Sequence, residues 1–219
     1  NSAVRCAVEM AAWDLIGQRA GMPLYHLFGG AYRRRVPVAI RLRARNPLQV
    51  AKQAAELAQQ GYHAQILTGS GYLDNDLALL RAVREAIGDR AELRLDGSGR
   101  FNTEGARDLC AALEFESVAF LLDPLNVQPF HATAALARQT SVPLAISRSI
   151  TCPNDVLAVI RSGAASHVAL RMPALGGLLS LRKAAAIAEA AGLKTLADSG
   201  PSVGIATAAM LQLAAALPV

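Results

Sequence analysis

The run Glu92-Leu-Arg-Leu-Asp-Gly-Ser-Gly-Arg-Phe-Asn102 alternates, with Leu93 and Leu95 standing between Glu92, Arg94 and Asp96. That is the period of a strand with one apolar face, and Gly97 and Gly99 end it. Asp96 therefore sits at the carboxyl end of the strand. In a closed parallel barrel that end faces the mouth where such folds place their chemistry.

The same pattern of strand, turn and helix spreads outward in both directions. Residues 36–42 have the β-branched content of a first strand, and a helix over 47–60 leads to strand two at 64–68. Asp74 or Asn75 is placed to cap a helix running to Gly88, which feeds the strand of Asp96. Thr103 is placed to cap the helix to Leu113, and strand four covers 118–123, closed by Pro124. Helix 131–139, strand 143–148, helix 155–162, strand 167–171, helix 179–191, strand 195–198 and helix 205–216 follow. Strands begin every ~24–28 residues, the spacing of a βαβ crossover. Seven such units of one size predict an α/β chain of TIM-type (β/α) barrel architecture, since an open flavodoxin-like sheet stops at five or six strands. Closure needs eight strands, so the sequence reads as a barrel domain over 36–219, incomplete at its carboxyl end. Residues 1–35 read as an entry helix and connection. That helix, over 2–19, carries Val4, Val8, Ala11, Ala12, Leu15 and Ile16 as its apolar stripe, with Ser2 as its N-cap.

Composition narrows the classes. The 219 residues are 53% hydrophobic and 18% charged, with aromatics at 5% and a net charge of +5. The positive charge is scattered over Arg33 to Arg35, Arg41 to Arg45 and single sites without aromatic interleaving, which argues against nucleic acid as a partner. Cys6, Cys110 and Cys152 are odd in number and lack CxxC spacing, which favours reduced thiols and a cytoplasmic setting. No signal peptide and no uninterrupted apolar run of spanning length is visible, so no membrane is implied. The mean hydropathy of +0.27 fits large buried contacts of the kind a homo-oligomer makes, or a face exposed by truncation.

Residues 7–17 (Ala-Val-Glu-Met-Ala-Ala-Trp-Asp-Leu-Ile-Gly) followed by 21–30 (Gly-Met-Pro-Leu-Tyr-His-Leu-Phe-Gly-Gly) resemble the entry into the barrel domain of the enolase superfamily, mandelate racemase/muconate lactonizing branch. Gly176-Gly177-Leu178, residues 188–193 (Ala-Glu-Ala-Ala-Gly-Leu), residues 204–209 and residues 213–218 look like the same group, in its order and spacing. The resemblance implies a (β/α) barrel beside an amino-terminal capping domain that this chain lacks. It also implies proton abstraction next to a carboxylate, as in a muconate cycloisomerase, racemase or dehydratase. In that chemistry Mg²⁺ is held by acids ending strands three, four and five, and lysines on strands two and six move the proton.

Carried onto this sequence, Asp96 matches the strand-three metal ligand, while Leu122 and Arg148 stand at the other two ligand positions. Thr68 ends the strand-two Lys-x-Lys position, which reads Ile66-Leu67-Thr68, Arg171 matches the strand-six lysine, and Ser202 matches the strand-seven acid. One carboxylate with a leucine and an arginine argues against an ordinary Mg²⁺ site. Charge counting suggests a replacement: three carboxylates plus Mg²⁺ sum to roughly −1 and one carboxylate plus one guanidinium to 0. Arg148 is thus expected to reach Asp96, with Arg148, Arg171, Ser98 and Ser202 receiving a small carboxylate ligand.

Asp96, Arg171, Arg148 and Thr68 are the candidate catalytic residues. Each has a plainer reading, Asp96 as a cap of its own loop and Arg148 as a structural ion pair. Asp123 and Asp198 also end strands, but next to an inward Leu122 the parity of the strand turns Asp123 away. His26, His63, His131 and His167 are scattered, Met10, Met172 and Met210 read as core filler, and the glycines of 69–71 and 97–99 as turn residues. Two functions stay open: an isomerase or lyase of the superfamily, or a non-catalytic or metal-independent relative that keeps the fold.

Overall fold

The computed structural model describes residues 1–125, 130–200 and 204–219. In chain order they form α1 (Ser2–Ala20), α2 (Leu24–Leu27), β1 (Ala39–Arg41), α3 (Pro47–Gln59), β2 (Ala64–Thr68) and α4 (Leu73–Ile87). Then come β3 (Glu92–Asp96), α5 (Thr103–Leu113), β4 (Leu121–Leu122), α6 (His131–Ala137), β5 (Leu144–Ile146), α7 (Pro153–Ser162) and β6 (His167–Arg171). The series closes with α8 (Met172–Leu175), α9 (Leu178–Ala190), β7 (Lys194–Asp198) and α10 (Ile205–Ala216). The chain divides into two compact bodies, one of Pro37–Ala145 with Ser162–Ala165, the other of Asn1–Val36, Ile146–Arg161 and Ser166–Val219.

In the first body the strands pair in parallel with their sequence neighbours from β1 through β5. One row across the sheet is Leu67, Leu95, Leu121 and Leu144, joined strand to strand in register. All four are buried in one cluster with Val50 and Ala54 of α3, Leu80 and Val83 of α4, and Leu109 and Leu113 of α5. Leucine on the strand and aliphatics on the helix stripe thus set which sheet face the helices cover, and burying each such side chain contributes about 1.5–3 kcal/mol. The next residue of each strand faces the other way. That row is Thr68, Asp96, Leu122 and Ala145, again in register.

The second body carries β6 and β7 in parallel register, with α9 packed on both. Helix α1 packs on α8. The Gly176-Gly177 pair has a physical role at that contact. Arg5 of α1 donates from Nη2 to Leu175 O at 2.8 Å and from Nε to Gly176 O at 3.1 Å, while Glu9 Oε1 accepts from Leu179 N at 2.8 Å. Gly177 has φ 138°, and a Cβ there would run into the Glu9 carboxylate. Glycine is what lets α1 cap the start of α9.

Several expected boundaries shift. The cap of α1 is Asn1, whose side chain accepts from Ala3 N, rather than Ser2, and the cap of α5 is Asn102, accepting from Gly105 N, rather than Thr103. Helix α4 begins before Asp74, with Tyr72 at its N-cap, and α7 begins at Pro153. Strands β1, β4 and β5 are shorter than expected. The apolar stripe of α1 faces outward, with Val4, Val8, Leu15 and Ile16 exposed. Cys6 and Gly17 are the buried positions of α1, and Trp13 meets the Phe28 ring at 4.7 Å. Among the described residues no helix is long and apolar enough to cross a membrane.

Candidate functional site

Asp96 ends β3 as the alternation required, 8% exposed. Both oxygens of its carboxylate accept hydrogen bonds. Oδ1 accepts from Ser98 N at 2.8 Å and from Ser98 Oγ at 3.2 Å, which closes the turn after β3 with Ser98 at φ 54°. Oδ2 accepts from Arg41 Nη1 at 2.7 Å, and the same Nη1 donates to Thr68 Oγ1 at 2.6 Å. Of the residues expected at the site, Asp96, Thr68 and Ser98 are therefore brought together, and Arg41 at the end of β1 is a member that sequence reasoning missed. A guanidinium rests on Asp96, and within this body it belongs to Arg41, whereas the charge argument had assigned that place to Arg148. The signal available was position: Arg41 lies in register with Ile66, two residues before Thr68 on the same face.

The loops beside Asp96 are tied to it and to each other. Gly69 N donates to Asp96 O at 2.8 Å, and Arg100 Nη1 donates to Gly69 O at 2.9 Å. Asp76, wholly buried, holds the next stretch. Its Oδ1 accepts from Ser70 N and Ser70 Oγ, both at 2.7 Å, and its Oδ2 from Gly71 N at 3.2 Å. The turn glycines of 69–71 thus belong to a loop organised around a buried carboxylate.

A divalent cation does not fit this arrangement. Mg²⁺ needs several oxygens in octahedral geometry, and the register neighbours of Asp96 are Thr68 and Leu122, with Ala145 beyond. Both Asp96 oxygens are already taken, one of them by a cation. Among the described residues no group of three or more His, Cys, Asp and Glu side chains could hold a metal ion. Asp123, the neighbour of Leu122, is buried with φ 44°.

In the second body Arg171 ends β6 in register with Asp198 at the end of β7. Arg171 Nη2 donates to Arg148 O at 3.5 Å, and its buried Nε has no hydrogen-bond partner among the described residues. Asp198 Oδ1 accepts from Gly200 N at 2.7 Å. An orphaned guanidinium donor is costly to bury and suits an anion that would complete it. Ser202 lies outside the described residues. His63 bonds Arg90 O and His167 bonds Ser166 Oγ, each locally.

Comparison with known proteins follows from this geometry. Residues 49–219 match the family model described as enolase C-terminal domain-like. Muconate cycloisomerase 1 of Rhodococcus opacus is 30% identical over 216 residues, 98% of this chain and 58% of the relative. N-succinyl-L-Arg/Lys racemase of Bacillus cereus is 26% identical over 211 residues, 96% of this chain and 57% of the relative. The crystal structure of muconate cycloisomerase from Pseudomonas fluorescens superposes with a TM-score of 0.92 at 29% identity, over 95% of this chain and 58% of that one. A dipeptide epimerase from Enterococcus faecalis, complexed with Mg and the dipeptide L-Leu-L-Tyr, gives 0.92 at 27% identity, over 98% and 61%. The chain thus spans about six-tenths of the length of these relatives. Their likeness gives the fold class as α/β, a TIM-type (β/α) barrel domain, of which the described residues carry seven strands.

Proposed function

The chain belongs to the enolase C-terminal domain-like family, and from that membership we propose that it serves a metal-independent, carboxylate-binding relative of the superfamily's cycloisomerases, racemases and epimerases. The observation that carries the reading is the Arg41–Asp96 ion pair at 2.7 Å. It neutralises the one acid left in the row and puts a guanidinium where a cation would be needed. A threonine at position 68 is a poor base at neutral pH, and an aspartate engaged on both oxygens is poorly placed to take a proton. Ligand recognition then falls to cationic and hydroxyl side chains at or just past strand ends: Arg171 and Arg148 in one body, and Ser98 in the other. Ser202 is assigned by the family pattern alone. Homo-oligomer formation in the cytoplasm is part of the same proposal, and the exposed Val4, Val8 and Leu15 of α1 support a covered face.

A second reading is favoured by the relatives themselves, which are named as isomerases, together with Asp96 at its expected strand end. In it the protein retains an isomerase or lyase activity on a small carboxylate, with Mg²⁺. Calorimetric titration with Mg²⁺ and Mn²⁺ separates the two. No binding heat, and no deuterium incorporation next to the carboxylate of candidate substrates in D₂O, support the first. Binding that disappears in Asp96→Asn overturns it in favour of the second.

A further inference from the structure

A guanidinium has five N–H donors in a planar fork, and its Nε/Nη2 edge matches the two oxygens of a carboxylate. Among the described residues Arg41 spends only Nη1, on Asp96 Oδ2 and Thr68 Oγ1. Its side chain is 46% exposed, whereas Asp96 beneath it is 11% exposed. The group is therefore anchored through Nη1 while the side chain as a whole stays nearly half open to solvent. The anchor is itself fixed, because Asp96 Oδ1 is held by Ser98 N and Oγ. On the same face Arg94 stands in register with Ile66, which pairs with Arg41, but it is spent differently: Nε bonds Glu92 Oε1 at 2.6 Å and the guanidinium lies 5.1 Å from the Phe120 ring centroid.

We propose that Arg41 is a ligand-binding residue, receiving a carboxylate on its Nε/Nη2 edge, with Asp96 and Thr68 as the positioning residues that hold the fork in place. The inference rests on the carboxylate-binding reading above and names the residue that carries it out in this body. Arg41, Asp96, Arg94 and Glu92 sum to zero formal charge, so recognition comes from two parallel hydrogen bonds at short range and not from a long-range positive field. The ancestral position of a cation would then have passed to a side chain that grips the same kind of substrate group directly. Lysine cannot reproduce the fork, and glutamine removes the charge.

The test is calorimetry on the full chain in EDTA, with succinate, benzoate and N-acetylalanine as probes. It is paired with the Arg Nε–H resonances in ¹H–¹⁵N spectra. The expected result is binding of at least one probe that shifts the Arg41 Nε–H signal. Affinity should fall at least tenfold in Arg41→Gln, less in Arg41→Lys, and a few-fold in Thr68→Val. Thermal melts establish that each variant is folded, and the Nε–H shift in the unmutated protein carries the test should Arg41→Gln fail to fold. Wild-type binding that is unchanged in folded Arg41→Gln, or that leaves the Arg41 signal unmoved, overturns the role of Arg41 while the carboxylate reading stands. No binding of any of the three probes overturns both.

Discussion

Removing the Arg41–Asp96 contact should have a measurable and bounded cost. Exposed ion pairs contribute about 0.2–1 kcal/mol, and breaking a fully buried one costs about 3–5 kcal/mol. This pair lies between those limits, with Asp96 shielded at 11% side-chain exposure and Arg41 open at 46%. The Ser98 bonds to Oδ1 survive the loss of Arg41, so Asp96 is not stranded. A coupling of about 1–2 kcal/mol follows for Arg41→Met against Asp96→Asn, together with a fall in Tm of about 2–8 °C for Arg41→Met alone. The assay is a double-mutant cycle by urea denaturation, repeated near 1 M NaCl, where a Debye length of about 3 Å should shrink the part that passes through solvent. A coupling under about 0.5 kcal/mol at low salt would show that the two groups merely lie side by side, and would remove the argument that a guanidinium replaces a cation here.

Other perturbations follow from the same structure. Asp76→Ala strips the acceptor from Ser70 N, Ser70 Oγ and Gly71 N and should cost about 2–4 kcal/mol; hydrogen exchange should quicken first at Ser70 and Gly71, and unchanged exchange there counts against the role of Asp76. Gly177→Ala meets both a φ of 138° and the Glu9 carboxylate, and a loss of about 2 kcal/mol or more is expected by thermal denaturation. Burial pushes the Cys110 thiol up to about 11, against the Thr140 hydroxyl, with Glu114 adding to the rise. Iodoacetamide at pH 8 should therefore label the exposed Cys152 in the native protein and spare the buried Cys6 and Cys110 until unfolding, as peptide mass mapping would show.

For Asp155, burial raises the carboxyl but is outweighed by the bonds from Thr151 N, Thr151 Oγ1 and Cys152 N, so it lies below the ordinary 3.8. A depressed folded value means stability that is fully present above about pH 3.8 and lost as pH falls through the folded value. Asp155→Asn should flatten that acid limb in a pH series of melts.

Where periodicity is strong the sequence was readable almost to the residue: β2, β3, β6 and α10 have the expected bounds. The short strands β4 and β5 were over-extended because apolar flanks such as Val118 and Pro143 look like strand whether or not they pair. The caps of α1 and α5 were misplaced by one residue, since Asn1 and Asn102 stand directly before the Ser2 and Thr103 that were chosen, and either type can accept from an early helical N–H. The stripe of α1 is a true pattern whose direction the sequence left open, because an apolar stripe says that something is to be covered and not what covers it. Leucine at position 122 and threonine at 68 were legible as departures from the family's pattern. Arg41 was not, since its partner Asp96 lies 55 residues away and only the pairing of β1 with β2 brings the two strand ends near. Buried carboxylates pose the same difficulty: Asp76 is a first-turn acid of α4, and nothing in the sequence around it marks it as the anchor of the 69–71 loop.

The two in-register rows one residue apart divide the labour of β2 through β5. Leucines at 67, 95, 121 and 144 are answerable to the helices behind them, whereas positions 68, 96, 122 and 145 face away from those helices, where Arg41 and Ser98 hold Asp96. Evolution can rewrite the second list while the first stays put. A lineage can in this way abandon an inherited reaction without loosening its architecture, and a designer can install a new one by substitution at the same four positions.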